Sequence, residues 1–117
     1  MTGTVPWQAV VVRARELLET RGDVVSEATL GNLADLTAAA LGQLPPPEVA
    51  AGYCPTVLIS WDGLSREIFE DRIEVYSPTP PGEATSVWYE PHLPGQDFSP
   101  GFQAALATAC PIRGATR

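Results

Sequence analysis

The sequence predicts an α+β fold: an N-terminal helical hairpin over residues 5–44, packed on a three- to four-stranded antiparallel sheet over residues 55–91, with a short C-terminal helix over residues 99–110. Three observations carry this. Apolar residues recur at helical spacing before residue 44. From Thr56 to Glu90 the chain breaks instead into short runs rich in β-branched and aromatic residues, separated by turn residues. Nine of the twelve prolines cluster at 45–47, at 78–81 and from 91 to 100, between elements rather than inside them. A chain of 117 residues is expected to form a single domain, 1–117, long enough to bury a core without staples.

The first helix is signalled by Thr4 as cap, by Pro6 in the first turn, and by Trp7, Val10, Val11, Ala14, Leu17 and Leu18 along one stripe. Gly22 supplies its stop. Ser26 caps the second helix, with Val25 and Leu30 placed as a hydrophobic staple. Leu30, Leu33, Thr37, Leu41 and Leu44 form its expected stripe, broadened by Ala34 and Ala40, and Pro45 to Pro47 forbid continuation beyond Gly42. The second helix carries Glu27 and Asp35 but neither lysine nor arginine, which argues against its lying in a DNA groove.

Thr56–Trp61 reads as a strand, Asp62-Gly63 as a tight turn, and Arg66–Glu70, Arg72–Ser77 and Thr85–Glu90 as further strands. Alternation puts Val57, Ile59 and Trp61 on one side, together with Ile73 and Val75, facing the helices. Ser99 is placed to cap a C-terminal helix through Phe102, Leu106 and Cys110, stopped by Pro111.

Charge is unevenly spread. The net charge is −7, every basic group is one of seven arginines, and residues 54–97 hold eight acids against Arg66 and Arg72. Such a balance opposes binding to phosphate backbones, so no nucleic acid partner is expected. No basic leader runs into a long apolar stretch and no segment is long enough to span a bilayer, so a cytoplasmic protein with no membrane association is expected. Cys54 and Cys110 stand far apart with no CxxC motif, and His92 is the sole histidine; no metal and no cofactor are expected, and the thiols are read as unpaired.

Glu67, Glu70, Asp71 and Glu74 form the densest carboxylate cluster, read as a solvated hairpin edge rather than an acid–base pair or cation site. His92, in a loop after the last strand, lacks a nucleophile motif near it, so no enzymatic activity is expected. The side of the sheet away from the helices mixes acids with aromatics. Glu67, Phe69, Glu74, Tyr76, Trp88 and Glu90 are the expected partner-binding residues, unless the C-terminal helix covers them.

The segment PTVLISWDGLSREIFEDRIEVY, preceded by a helix and the break LPPPEV, resembles a loose set of small uncharacterised bacterial proteins of the toxin–antitoxin or mobile-element type. The likeness spans residues 26–77 and carries over no functional residue. It implies an accessory gene of such loci. The acids and aromatics on one stretch, with no catalytic set, point to a protein-binding accessory or inhibitor, antitoxin-like or immunity-like, that engages a basic protein partner. A small-ligand module, with Trp61, Tyr76 and Trp88 lining a pocket, and a structural subunit of a larger assembly are the alternatives.

Overall fold

The computed structural model describes residues 4–41, 44–53, 55–61, 64–77 and 86–109. Its architecture is α+β, with helices α1 (Val10–Arg21), α2 (Glu27–Ala40) and α3 (Pro100–Ala109) and strands β1 (Glu48–Ala51), β2 (Val57–Trp61), β3 (Leu64–Ile68), β4 (Arg72–Ser77) and β5 (Ser86–Pro91). The strands form one sheet in chain order, every neighbouring pair antiparallel. The predicted turn at Asp62-Gly63 and both cysteines lie outside the described residues.

Local chemistry sets the helix limits. Pro6 leads into a single 3-10 turn, Trp7–Ala9, which runs on into α1. Gly22 ends α1 at φ +88, a left-handed conformation that costs glycine nothing, while its N–H and that of Asp23 satisfy the carbonyls of Glu19 and Leu18. Ser26 opens α2, its hydroxyl accepting from the Thr29 N–H at 3.2 Å. The buried stripe of α2 differs from the expected one. Leu30, Leu33, Leu36 and Ala40 point inward, whereas Ala34 is exposed and Leu41 is 57% exposed. The reason is the early stop: Leu41 already has extended backbone, so the helical period no longer governs where it points. Leu44 is nevertheless buried, reached by the chain after it leaves the helix.

The sheet has five strands, one more than the predicted three to four. β1, reading EVAA, was hidden because glutamate and alanine are poor strand formers. Pairing with β2 makes it a strand: Val49 opposes Ile59, and Ala51 opposes Val57.

One buried cluster takes residues from all three helices and from alternate strand positions, including Val57, Ile59, Trp61, Ile68, Ile73 and Val75. Leu17, expected in this set, is half-buried against it. Two indoles tie the proline break to the core: Trp7 Nε1 donates to the Leu44 carbonyl at 3.0 Å and Trp61 Nε1 to the Pro45 carbonyl at 2.7 Å. Arg66 lies on this same core face, opposite Ile59 and Val75, its guanidinium 5.5 Å from the Trp61 ring centre. The register leaves the other face to Glu48 and Ala50, Leu58 and Ser60, Ser65 and Glu67, Arg72, Glu74 and Tyr76, and Tyr89. The C-terminal helix packs with α2 on the helical side, through Phe98 and Phe102, instead of covering this face.

Candidate functional site

The six predicted site residues separate. Glu67, Glu74 and Tyr76 come together on the open face. Phe69 sits in the β3–β4 turn, half-buried, with the Arg72 guanidinium 3.9 Å from its ring centre. Glu90 pairs with Ile73, a core-facing position, and is itself buried, so it does not belong to the open-face cluster, and Trp88 pairs with Val75 in the same register. The expectation failed there by one residue of phase, because a strand's period fixes which residues share a face but not which face that is.

Glu90 has a structural task. It is buried, and its carboxylate accepts from the Ser99 N–H at 2.7 Å and from the Ser99 hydroxyl at 2.8 Å, while Ser99 Oγ itself accepts the Phe102 N–H at 3.1 Å. The end of β5 and the start of α3 are thereby joined through one capping serine.

His92, read as a loop histidine, is also buried. Its Nε2 lies 2.8 Å from Asp35 Oδ2, and its ring stacks on Phe98 at 4.1 Å. A carboxylate only accepts, so Nε2 is the donor of this pair. Asp35 Oδ2 also takes the Gly95 N–H, and Asn32 Nδ2 donates to the carbonyls of Phe69, Glu70 and His92. Together these polar groups on α2 clamp the β3–β4 turn and the chain after β5. The His92 ring is fully buried, whereas the Asp35 side chain is 29% exposed and lines an open pocket with Gly95, Gln96 and Phe98.

The open-face cluster is built by two cross-strand neighbours and a turn. Glu67 stands directly opposite Glu74. The Tyr76 hydroxyl lies 2.9 Å from Glu67 Oε1 and 2.8 Å from Glu74 Oε1. Burial raises the ionisation of this phenol above its ordinary range, and its hydrogen bonds to Glu74 and Glu67 add to the effect, so it remains a donor. Glu67 is only 2% exposed because the turn between β1 and β2 folds over it: Thr56 Oγ1 donates to Glu67 Oε2, with the Tyr53 N–H at 3.4 Å. Gly52 permits this approach, since a side chain there would meet Thr56 Oγ1 and Glu67 Oε2. Glu74 is held from its other side by Arg72 Nε at 3.0 Å, and Arg72 also binds Asp71 at 2.9 Å.

Around this cluster the face is accessible. A shallow pocket of about 310 Å³ is lined by Ala51, Gly52, Tyr53, Leu58 and Glu67. Tyr53 is 93% exposed at its rim and Tyr89, beside Glu74 in the register, is 59% exposed. Sequence reasoning missed Tyr53, whose loop position was the available signal, and counted Tyr89 in the acidic, aromatic stretch without placing it among the site residues. Trp61 and Tyr76 lie on opposite faces of the sheet, so the expected aromatic pocket does not form from them. Among the described residues no helix is long and apolar enough to cross a membrane, and no group of three or more histidine, cysteine or acidic residues is placed to hold a metal ion. Comparison with protein-family models, with curated proteins and with solved structures gives no match.

Proposed function

We propose that this protein is a non-enzymatic binding module, an accessory or inhibitor of antitoxin-like or immunity-like kind, that engages a basic protein partner through the open face of its sheet. The observation that carries this reading is the one-sided placement of the helices, which leaves Glu48, Glu74, Tyr53, Tyr76 and Tyr89 on or beside a five-stranded face that no described helix covers, with Glu67 buried beneath the β1–β2 turn. Three acids against Arg72 give that face a negative potential, which steers and selects a basic surface. The tyrosines supply rigid amphipathic contact area, the residue type that dominates interface energetics. Neither a nucleic acid nor a membrane is part of this reading, because a chain of net charge −7 lacks the clustered cations both would require.

The test is affinity capture from native lysate, repeated with Tyr89→Ala and Glu74→Arg. The reading expects a basic protein to be retained by the parent chain and captured more weakly by both variants, with melts showing that each is still folded. Equal capture by all three would refute it.

A further inference from the structure

The two edges of the sheet differ. At β1 the outer side is guarded: the Val5 N–H donates to the Pro47 carbonyl at 2.7 Å, Arg21 Nη1 reaches the Gly52 carbonyl at 2.6 Å, and α1 packs against the strand. At β5 the phase of the ladder follows from one bond. The His92 N–H donates to the Asp71 carbonyl at 3.0 Å, continuing the register that pairs Arg72 with Pro91. Bonded and non-bonded pairs alternate along an antiparallel ladder. Glu90 and Trp88 therefore turn their backbone groups toward β4, whereas Pro91, Tyr89 and Val87 turn theirs outward. The Phe69 N–H to Arg72 carbonyl bond, on the opposite side of β4, gives the same phase. Among the described residues no backbone group pairs with the outward N–H and C=O of Val87 and Tyr89. Pro91 occupies an outward position, where its missing N–H costs no ladder bond and blunts one end of the edge.

We infer that the β5 edge accepts an extended basic segment of the partner as a sixth strand, hydrogen-bonded at Val87 and Tyr89. This rests on the reading of the open face as the binding surface and adds the mode of docking to it. In such strand addition, main-chain bonds give affinity and alternate side chains give selectivity. Every second side chain of the incoming strand would lie on the open face beside Tyr89, with Glu74 the next residue inward on the same row. Glu70 and Asp71, both exposed in the β3–β4 turn, flank the Pro91 end. Arginine or lysine at those alternate positions is the complementary chemistry. With Pro91 closing one end, the pairing is short, and the face must supply the rest of the interface.

The probe is a synthetic peptide of about nine residues alternating arginine with valine, long enough to span one strand, titrated into isotope-labelled protein and followed by amide resonances. Saturable shifts at Val87 and Tyr89, with amide exchange there slowed by about tenfold or more, are expected. Tyr89→Pro removes the outward N–H in the phase that already tolerates Pro91, and Tyr89→Ala keeps it. The first should bind about tenfold more weakly than the second, with Val87→Pro as a second such variant and melts confirming that each is folded. Shifts confined to Glu67, Glu74 and Tyr76, or equal affinity of the proline and alanine variants, would overturn strand addition and leave the open-face reading standing. No shift at any residue up to about millimolar peptide, the weakest affinity of interest, would overturn both. Amides of Val87 and Tyr89 that exchange as slowly as those of Trp88 and Glu90 in the protein alone would also overturn it, since the edge would then already be occupied.

Discussion

Glu67 and Glu74 face each other across neighbouring strands, and both carboxylates converge on the single hydroxyl proton of Tyr76. One O–H satisfies one oxygen at a time, and like charges set directly opposite in a sheet repel. The two partners are not equivalent. Glu74→Gln places an amide donor beside the phenol oxygen and removes the repulsion, so stability should hold or rise by about 0.2–1 kcal/mol despite a weaker contact with Arg72. Glu67→Ala strips the acceptor from Thr56 Oγ1 and should cost about 1–3 kcal/mol. Urea unfolding of both variants separates the two effects.

Gly52→Ala should destabilise the turn that covers Glu67. The added methyl would overlap Thr56 Oγ1 and come within 2.7 Å of Glu67 Oε2. Overpacking of this kind costs about 1–3 kcal/mol. Because the obstruction is one hydroxyl, Gly52→Ala combined with Thr56→Ala should cost measurably less than the sum of the two single changes in a double-mutant cycle.

Glu90→Ala should loosen α3 without disturbing the strands. Its carboxylate holds the serine that caps the helix, and the loss of such a cap is worth about 0.5–2 kcal/mol. Hydrogen exchange should speed up from Phe102 onward while the amides of β2 to β4 keep their protection. Uniform acceleration through the sheet would refute the assignment of Glu90 to capping.

Tyr76 sets an alkaline limit. Burial, then its bonds to Glu74 and Glu67, raise its ionisation above the ordinary value of 10.0. The folded state therefore holds the phenol proton more tightly than the unfolded state. This contribution is fully present below about pH 10 and is lost as pH climbs beyond it toward the folded value. Stability of the parent chain should fall more steeply above about pH 10 than that of Tyr76→Phe, as read by urea midpoints across an alkaline series.

The elements most legible in the sequence are those fixed by nearest-neighbour chemistry. Gly22, Ser26 and Ser99 act where they stand, through bonds to backbone groups within five residues, and so could be recognised locally. Less local features were hidden. β1 exists because Val49 and Ala51 find Ile59 and Val57, a pairing that nothing in EVAA announces. Glu90 looked like a surface acid because its partner lies nine residues away, past an irregular connection. The partner of His92 was not legible because Asp35 belongs to a helix 57 residues earlier in the chain. Glu67 and Tyr76 were correctly joined on one face, since strand period is a local property, but the near-complete burial of Glu67 depends on a turn that carries Gly52 and Thr56 over it.

The strand order also bears on how the chain reaches this structure. With β1 to β5 pairing in sequence, each new strand docks on the one just formed, and no pairing must await the closure of a long intervening loop. Loop-closure entropy therefore enters in small instalments, and sheet growth resembles a zipper more than a Greek key. The longest-range contacts belong to the layer above, where helices of the first forty residues pack on a sheet contributed by chain that follows them.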